Sequence, residues 1–317
     1  FPIHIHLVGD ESIIKPLLIK ENKGPHDKIT IHHAPESIEM AESPSKAFRQ
    51  KKKSSIHIGL QLIKEKTASA FVSAGNTGAV LTISTFILGR INHVERPALA
   101  GILPSSKHPF VMLDLGANVD SKPSQLLQYA IMGSCFSEFV LHQETPKVGL
   151  LNIGEEKDKG NTCTLSSYEL LENAPINFIG NVEAKTLLFG DIDVVVCDGF
   201  VGNNMLKFGE GLFSLFSSFL REQAKKSTIA KLGFLLLKST FKKFKKKFDY
   251  DEYGGAFLLG VNGVSIIAHG HANQIAFKNA IKVAYMAVEN DITNKISDGI
   301  NQLTSNQPET SSSTSSK

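Results

Sequence analysis

Short, largely apolar runs recur along the chain at Ala68 to Val72, Leu99 to Leu103, Phe110 to Leu115, Lys147 to Ile153, Ile176 to Ile179 and Val194 to Cys197. Strands that are apolar throughout, and not on alternate residues, must be covered on both faces, and strand–helix–strand alternation is how parallel strands are connected. Helical stretches intervene, among them Ser45 to Lys53, Ser54 to Lys64, Ser124 to His142 and Thr164 to Asn173. The order predicts a three-layer αβα fold with a mostly parallel sheet. Phe1 to Val8 and Lys28 to His33 read as two earlier strands, joined by a short helix, Ser12 to Ile19, and the Lys23-Gly24-Pro25 break. From Gly209 to Phe248 the pattern becomes one long helical stretch, and Tyr253 to Gly263 and Val264 to His269 restore sheet-like residues before a closing helix, Ala272 to Asn290. We expect a single α/β catalytic domain over 1–303, with a helical excursion at about 209–250, and a disordered Ser/Thr-rich tail over 304–317.

Composition narrows the function classes. A net charge of +3 over 317 residues gives no overall attraction for nucleic acid, and no nucleic-acid partner is expected. No apolar run approaches the roughly 20 residues that cross a bilayer. Cys135, Cys163 and Cys197 are widely separated, which suits neither a disulfide framework nor a zinc site and fits a reducing cytoplasm. The His32-His33 and His269-Gly270-His271 spacings are poor for a metal, so neither metal nor cofactor is expected.

The apolar runs end in polar turns. Ser73-Ala74-Gly75-Asn76-Thr77-Gly78 leads from a strand into an apolar helix, and a helix N-terminus with free N–H groups suits an anion such as phosphate. Asn76 and Thr77 are equally ordinary N-cap residues, so the turn alone admits plain capping. Similar turns follow at Asp114 to Asn118, Asn152 to Glu155, Gly180 to Glu183 and Asp198 to Asn204, which includes Gly202 and Asn203. In an open parallel sheet such carboxyl ends share one edge, and the five turns together predict an anion site there. No G-x-G-x-x-G or G-x-x-x-x-G-K-[ST] fingerprint opens a helix, which disfavours a dinucleotide or P-loop site, and no G-x-S-x-G elbow is present.

A second cluster lies in Phe234 to Phe248. On one helix Leu237, Phe241, Phe244 and Phe248 share a face, with Lys242, Lys245 and neighbouring lysines around it. The pattern suits an anionic membrane surface, an acidic carrier protein, or a dimer helix with a solvated basic face.

The stretches FVSAGNTGAVL, RPALAGILPS, VMLDLGANVDSKPSQLLQYAIMG, VGLLNIGEEKDKGN, NFIGNVEAKTLLFGDIDVVVCDGFVGNNMLKFGEG and DYDEYGGAFLLGVNGVSIIAHG resemble, in this order, the PlsX-type phosphate acyltransferases of bacterial phospholipid synthesis. The resemblance runs from about Leu7 to about Asn290. It implies a fold like the phosphotransacetylases and isocitrate or isopropylmalate dehydrogenases. It also implies transfer of a fatty acyl group from acyl carrier protein to inorganic phosphate, giving acyl phosphate for a glycerol-phosphate acyltransferase at the membrane. A homodimer that is cytoplasmic and peripherally membrane-associated is implied as well. Family members open with a strand and a Met-Gly-Gly-Asp turn upstream of the first residue here, so the resemblance further implies an N-terminally truncated chain of doubtful activity. The competing readings are an oxidoreductase of the same broad fold and an inactive membrane scaffold.

For such a reaction Asn76, Thr77 and Gly78 are expected to capture phosphate with help from Arg96 and Lys159, Arg96 alternatively serving as a structural ion-pair partner. Asn118, Asn152 and Asn203 are candidate oxyanion donors, or simply close their turns. Asp198 is expected to orient a neighbour. His269 is placed to protonate the leaving thiolate, or is structural.

Overall fold

The computed structural model describes residues 2–21, 27–248, 250–270 and 272–305. The chain opens with β1 (Ile5–Gly9), α1 (Glu11–Lys20) and β2 (Ile29–His33), then α2 (Pro44–Gln50), α3 (Ser55–Lys64), β3 (Ala70–Ser73) and α4 (Thr77–Ile87). Its middle is β4 (Ala98–Leu103), β5 (Phe110–Leu113), α5 (Pro123–Leu141), β6 (Lys147–Asn152), α6 (Thr162–Glu172), β7 (Asn177–Glu183) and β8 (Val194–Val196). The remainder is α7 (Gly199–Lys226), α8 (Thr228–Leu236), α9 (Lys238–Phe248), β9 (Ala256–Leu259), β10 (Val264–Ile267), α10 (Gln274–Glu289) and α11 (Ile292–Ser305).

The apolar runs do what their composition requires. In β5, Phe110 and Met112 join one core, whereas Val111 and Leu113 join the other, and all four are buried. One core packs the sheet against α5, α6, α10 and α11. The second packs it against α3, α4 and the start of α7, giving three layers. The sheet order is β3-β10-β9-β4-β5-β8-β6-β7. Pairs β3–β10, β5–β8, β8–β6 and β6–β7 are parallel, whereas β9 pairs antiparallel with both β10 and β4, and β4 with β5. The expected mostly parallel αβα fold is therefore present, with a reversal in its middle.

That reversal corrects the expected site. β3, β10 and β4 run one way and β5, β8, β6 and β7 the other, so their carboxyl ends lie at opposite edges. At about 3.3 Å per residue the two edges are on the order of 15 Å apart. The Ser73 to Gly78 turn and His269, which follow β3 and β10, sit at one edge. The turns after β5, β8 and β6 sit at the other, whereas Gly180 to Glu183, expected as a turn, is part of β7 and pairs with β6.

Other boundaries differ too. β1 and β2 form a separate parallel pair, outside the large sheet. The helical excursion begins at Gly199 and consists of three helices, interrupted at Ser227, which caps α8, and at Leu237. The final helix α11 carries regular structure through Ser305, into the stretch expected to be disordered. The Lys23-Gly24-Pro25 break, His271 and residues 306–317 lie outside the described residues. Among the described residues no helix is long and apolar enough to cross a membrane.

Candidate functional site

The edge that carries the polar turns after β5, β6 and β8 is organised by Asp114, the first residue after β5. Its side chain is fully buried and accepts five hydrogen bonds. Oδ1 receives the N–H groups of Leu99 (3.0 Å), Gly116 (3.1 Å) and Ala117 (2.9 Å). Oδ2 receives the N–H of Asn118 (2.7 Å) and its side-chain amide (3.0 Å). Burial pushes the Asp114 carboxyl above the usual carboxylate range, and these donors oppose that push. The sequence reading gave Asp114 no role of its own; a carboxylate directly after a wholly apolar strand, with Gly two residues on, was the available signal.

Asn118 ties this turn to α7. Its amide also donates to Pro97 O at 2.8 Å, and its own carbonyl accepts Gly199 N–H at 2.8 Å. Both amide protons are engaged, so neither is left for an oxyanion. Asp198 accepts Val201 N–H at 2.8 Å as the N-cap of α7. Gly202 is required by close packing: a Cβ there would stand 2.0 Å from Asp114 O.

Asn203 differs from the other two candidates. It is the fifth residue of α7, just past the first turn, half-buried, and its amide makes no hydrogen bond with a described residue. The Asp114 turn passes so close that a Cβ on Gly116 would come within 3.4 Å of the Asn203 amide carbon.

Beyond β6, Asn152 donates to Lys159 O at 3.0 Å and accepts Ile153 N–H at 2.9 Å, folding the 153–160 loop back over the sheet edge. Gly160 makes the return possible. Its φ is +105°, and a Cβ would sit 2.1 Å from Thr164 Oγ1 and 2.5 Å from Asn152 Oδ1. Asn161 then caps α6, accepting Thr164 N–H at 2.9 Å. The Cys163 thiol donates to Ser121 O at 3.1 Å, which joins the α6 N-terminus to the loop behind Asp114. Burial pushes the Cys163 thiol up, and nearby Asp198 adds to this, so it is not a ready thiolate nucleophile.

Two cations remain. Lys157 is engaged by Glu172 at 2.6 Å. Lys159 and Arg96 are exposed and form no ion pair with a described carboxylate, so the structure offers no partner for the alternative role of Arg96. Arg96 precedes Pro97, whose carbonyl holds Asn118, at the same edge. The edge thus brings together the N-termini of α6 and α7, which favour an anion and are capped by Asn161 and Asp198, with Asn203 and the cations Lys159 and Arg96.

The opposite edge is arranged for structure. Asn76 Oδ1 caps α4 by accepting Ala79 N–H at 3.0 Å, and Nδ2 donates to the carbonyls of Glu39, Met40 and Glu42 at 3.0–3.2 Å. A Cβ on Gly78 would lie 2.6 Å from Pro44 Cγ, so α2 closes over this helix terminus. Thr77 is exposed beside it, as is His269 after β10. The structure thus separates Asn76, Thr77, Gly78 and His269 from the remaining candidates, because β5 is antiparallel to β4, and β5, β8, β6 and β7 therefore run opposite to β3 and β10.

The basic cluster is also repacked. Phe241 stacks on Phe234 with centroids 5.0 Å apart, and Phe244 lies 6.1 Å from Phe213 and Phe216 and 4.8 Å from Phe248. These rings bind α9 to α7 and α8, and Lys242 is exposed; the side chain of Lys245 lies outside the described residues. Apolar residues of α8 are strongly exposed, with Ile229 at 85% and Leu236 at 77%, and Leu237 follows at 51%.

The chain matches the family described as fatty acid synthesis protein over residues 1–295. The phosphate acyltransferase of Pelotomaculum thermopropionicum is 48% identical over 96% of this chain and 88% of its own length. That of Heliobacterium modesticaldum is 47% identical over 94% of this chain and 89% of its own. Among solved structures, a phosphotransacetylase from Streptococcus pyogenes aligns with a TM-score of 0.58 and 16% identity over 89% of this chain and 85% of that one. The EutD phosphotransacetylase from Staphylococcus aureus aligns at 0.56 and 16% over 91% and 85%. At that identity the two structures speak for the fold alone.

Proposed function

The chain belongs to the fatty acid synthesis protein family, and from that premise we propose that it is a phosphate acyltransferase moving a fatty acyl group from acyl carrier protein to inorganic phosphate. The observation that carries the assignment is the Asn203 amide near the α7 N-terminus, without a hydrogen-bond partner among the described residues, on the edge shared with Lys159 and Arg96, which form no ion pair with a described carboxylate. Near neutral pH a substantial share of inorganic phosphate is already the dianion. A strong base is unnecessary. A phosphate oxygen attacks the thioester carbonyl carbon, the carbonyl oxygen becomes an oxyanion, and its collapse breaks the C–S bond to give acyl phosphate and the carrier thiolate, which takes a proton from water. Lys159, Arg96 and the helix termini hold phosphate, and Asn203 donates to the oxyanion. Positioning supplies roughly 7–11 kcal/mol in favourable cases and one oxyanion donor about 3–4. His269, at the far edge, takes no part in this scheme.

The test is acyl phosphate formation from acyl carrier protein thioester and phosphate, read as hydroxamate after trapping. Hydride transfer to a nicotinamide, or failure to bind either substrate, would instead favour the dehydrogenase-like or scaffold readings.

We also assign α8 and α9 to an anionic membrane surface, where the acyl phosphate would meet a glycerol-phosphate acyltransferase. The exposed Phe208, Leu212, Leu215 and Phe219 row on α7 supports a homodimer seam. Burying one Ile or Leu contributes about 1.5–3 kcal/mol. Ile229→Ser with Leu236→Ser is therefore expected to weaken sedimentation with anionic vesicles roughly 100-fold, with turnover of soluble carrier within twofold of the parent. Unchanged sedimentation would assign α8 to another contact.

A further inference from the structure

Lys46, Arg49, Lys51, Lys52 and Lys53 follow one another along α2 and its exit, and no acidic residue occurs between positions 44 and 64. For a chain of net charge +3, this is a concentrated positive region. Only Lys51 is neutralised, by Glu42 at 2.6 Å. Lys46, Arg49, Lys52 and Lys53 are exposed without an ion-pair partner among the described residues. The Lys52 ammonium lies 3.8 Å from the Phe48 ring centroid, and Phe48 stacks on Phe86 at 4.5 Å. Phe86 is 66% exposed and Met40 60%. Beside α2 runs a groove of about 320 Å³ lined by Glu42, Ser43, Lys46, Gln50 and Lys51, in which Glu42 is taken up by Lys51.

An exposed aromatic with a basic surround is the arrangement of a protein interface, in which an apolar anchor is ringed by charges that steer the partner. The contrast with α8 is informative. There, bare aliphatic side chains project outward, as insertion into lipid requires; here the rings lie stacked and the charges stand free. We propose that α2, with Phe48 and Phe86, docks an acidic protein face, which on the reading above is that of acyl carrier protein. This rests on the acyltransferase assignment for the partner's name and on the charge distribution for its chemistry.

The test titrates acyl carrier protein without an acyl group into the parent chain and into Lys46→Glu/Arg49→Glu/Lys52→Glu, with melting temperature as a folding control. Binding in the parent is expected to weaken steeply from 50 to 300 mM salt, and the triple variant to bind at least tenfold more weakly. In turnover, the same variant should raise KM for the acyl carrier substrate at least tenfold, with kcat and the KM for phosphate within twofold. Phe86→Ser should weaken binding without altering its salt dependence. Unchanged affinity in the triple variant overturns the proposal, as does an equal loss on reversing Lys242, Lys243 and Lys246, or tighter binding of anionic vesicles or RNA than of the carrier. If the chain forms no acyl phosphate, the reaction assignment fails, while the binding titration still decides the docking surface.

Discussion

Asn203→Ala is expected to lower kcat for acyl phosphate formation by about 100- to 1000-fold, the usual cost of removing one donor to a developing oxyanion. The melting temperature should hardly move. The side chain makes no hydrogen bond with a described residue, so its loss leaves no buried group unpaired, and changes of that kind stay within about 0.5 kcal/mol. Asn118→Ala is the informative contrast. That amide bridges Pro97 O and Asp114 Oδ2, so its removal should lower stability and activity together. If Asn203→Ala instead raised KM for phosphate with kcat intact, the amide would be binding ground-state phosphate and the transition state equally. If neither constant changed, the α7 terminus would not be the reacting centre. Initial-rate kinetics at saturating carrier substrate, with a thermal melt of each variant, separates these outcomes.

What could be read from the sequence follows how local each signal is. Val111, Met112 and Leu113 announce a strand buried on both faces because every residue is apolar, and Ser54 to Lys64 announces a helix by spacing. Ile292, Ile296 and Ile300 recur every fourth residue and mark α11 just as clearly, although the reading stopped at Asn290. Strand direction is different in kind. Nothing in the apolar residues Phe110 to Leu113 themselves fixes the direction of their strand, and its antiparallel pairing with β4 sends the Asn76 turn to the edge away from Asn203. The four asparagine candidates were likewise indistinguishable as residue types. Asn76, Asn118 and Asn152 are occupied by groups brought from elsewhere, the loop near Met40 in the first case, Pro97 and Asp114 in the second and Lys159 O in the third. Only the fold shows which amide remains available.

Asp114→Asn is expected to cost roughly 3–5 kcal/mol of stability, the range found when one partner of a buried charged network is removed. The replacement has the same shape, but it presents an NH2 group where a carboxylate oxygen stood. If that group faces Oδ2's partners, it meets the Asn118 backbone N–H and side-chain amide, donor against donors; if it faces the other way, it meets the N–H groups of Leu99, Gly116 and Ala117. Neither rotamer satisfies all five, and a buried donor left unpaired costs about 1–3 kcal/mol. Because Asn118 O also receives Gly199 N–H, relaxation of the turn displaces the first turn of α7 and Asn203 with it. A shift of about 1 Å in a positioned group is enough to lose on the order of 100-fold in rate. Urea unfolding and kcat should therefore fall together, with kcat already reduced at temperatures where the variant is folded. A variant of parental stability would show that the five donors find other partners, and one that is destabilised yet fully active when folded would separate the Asp114 turn from the placement of Asn203.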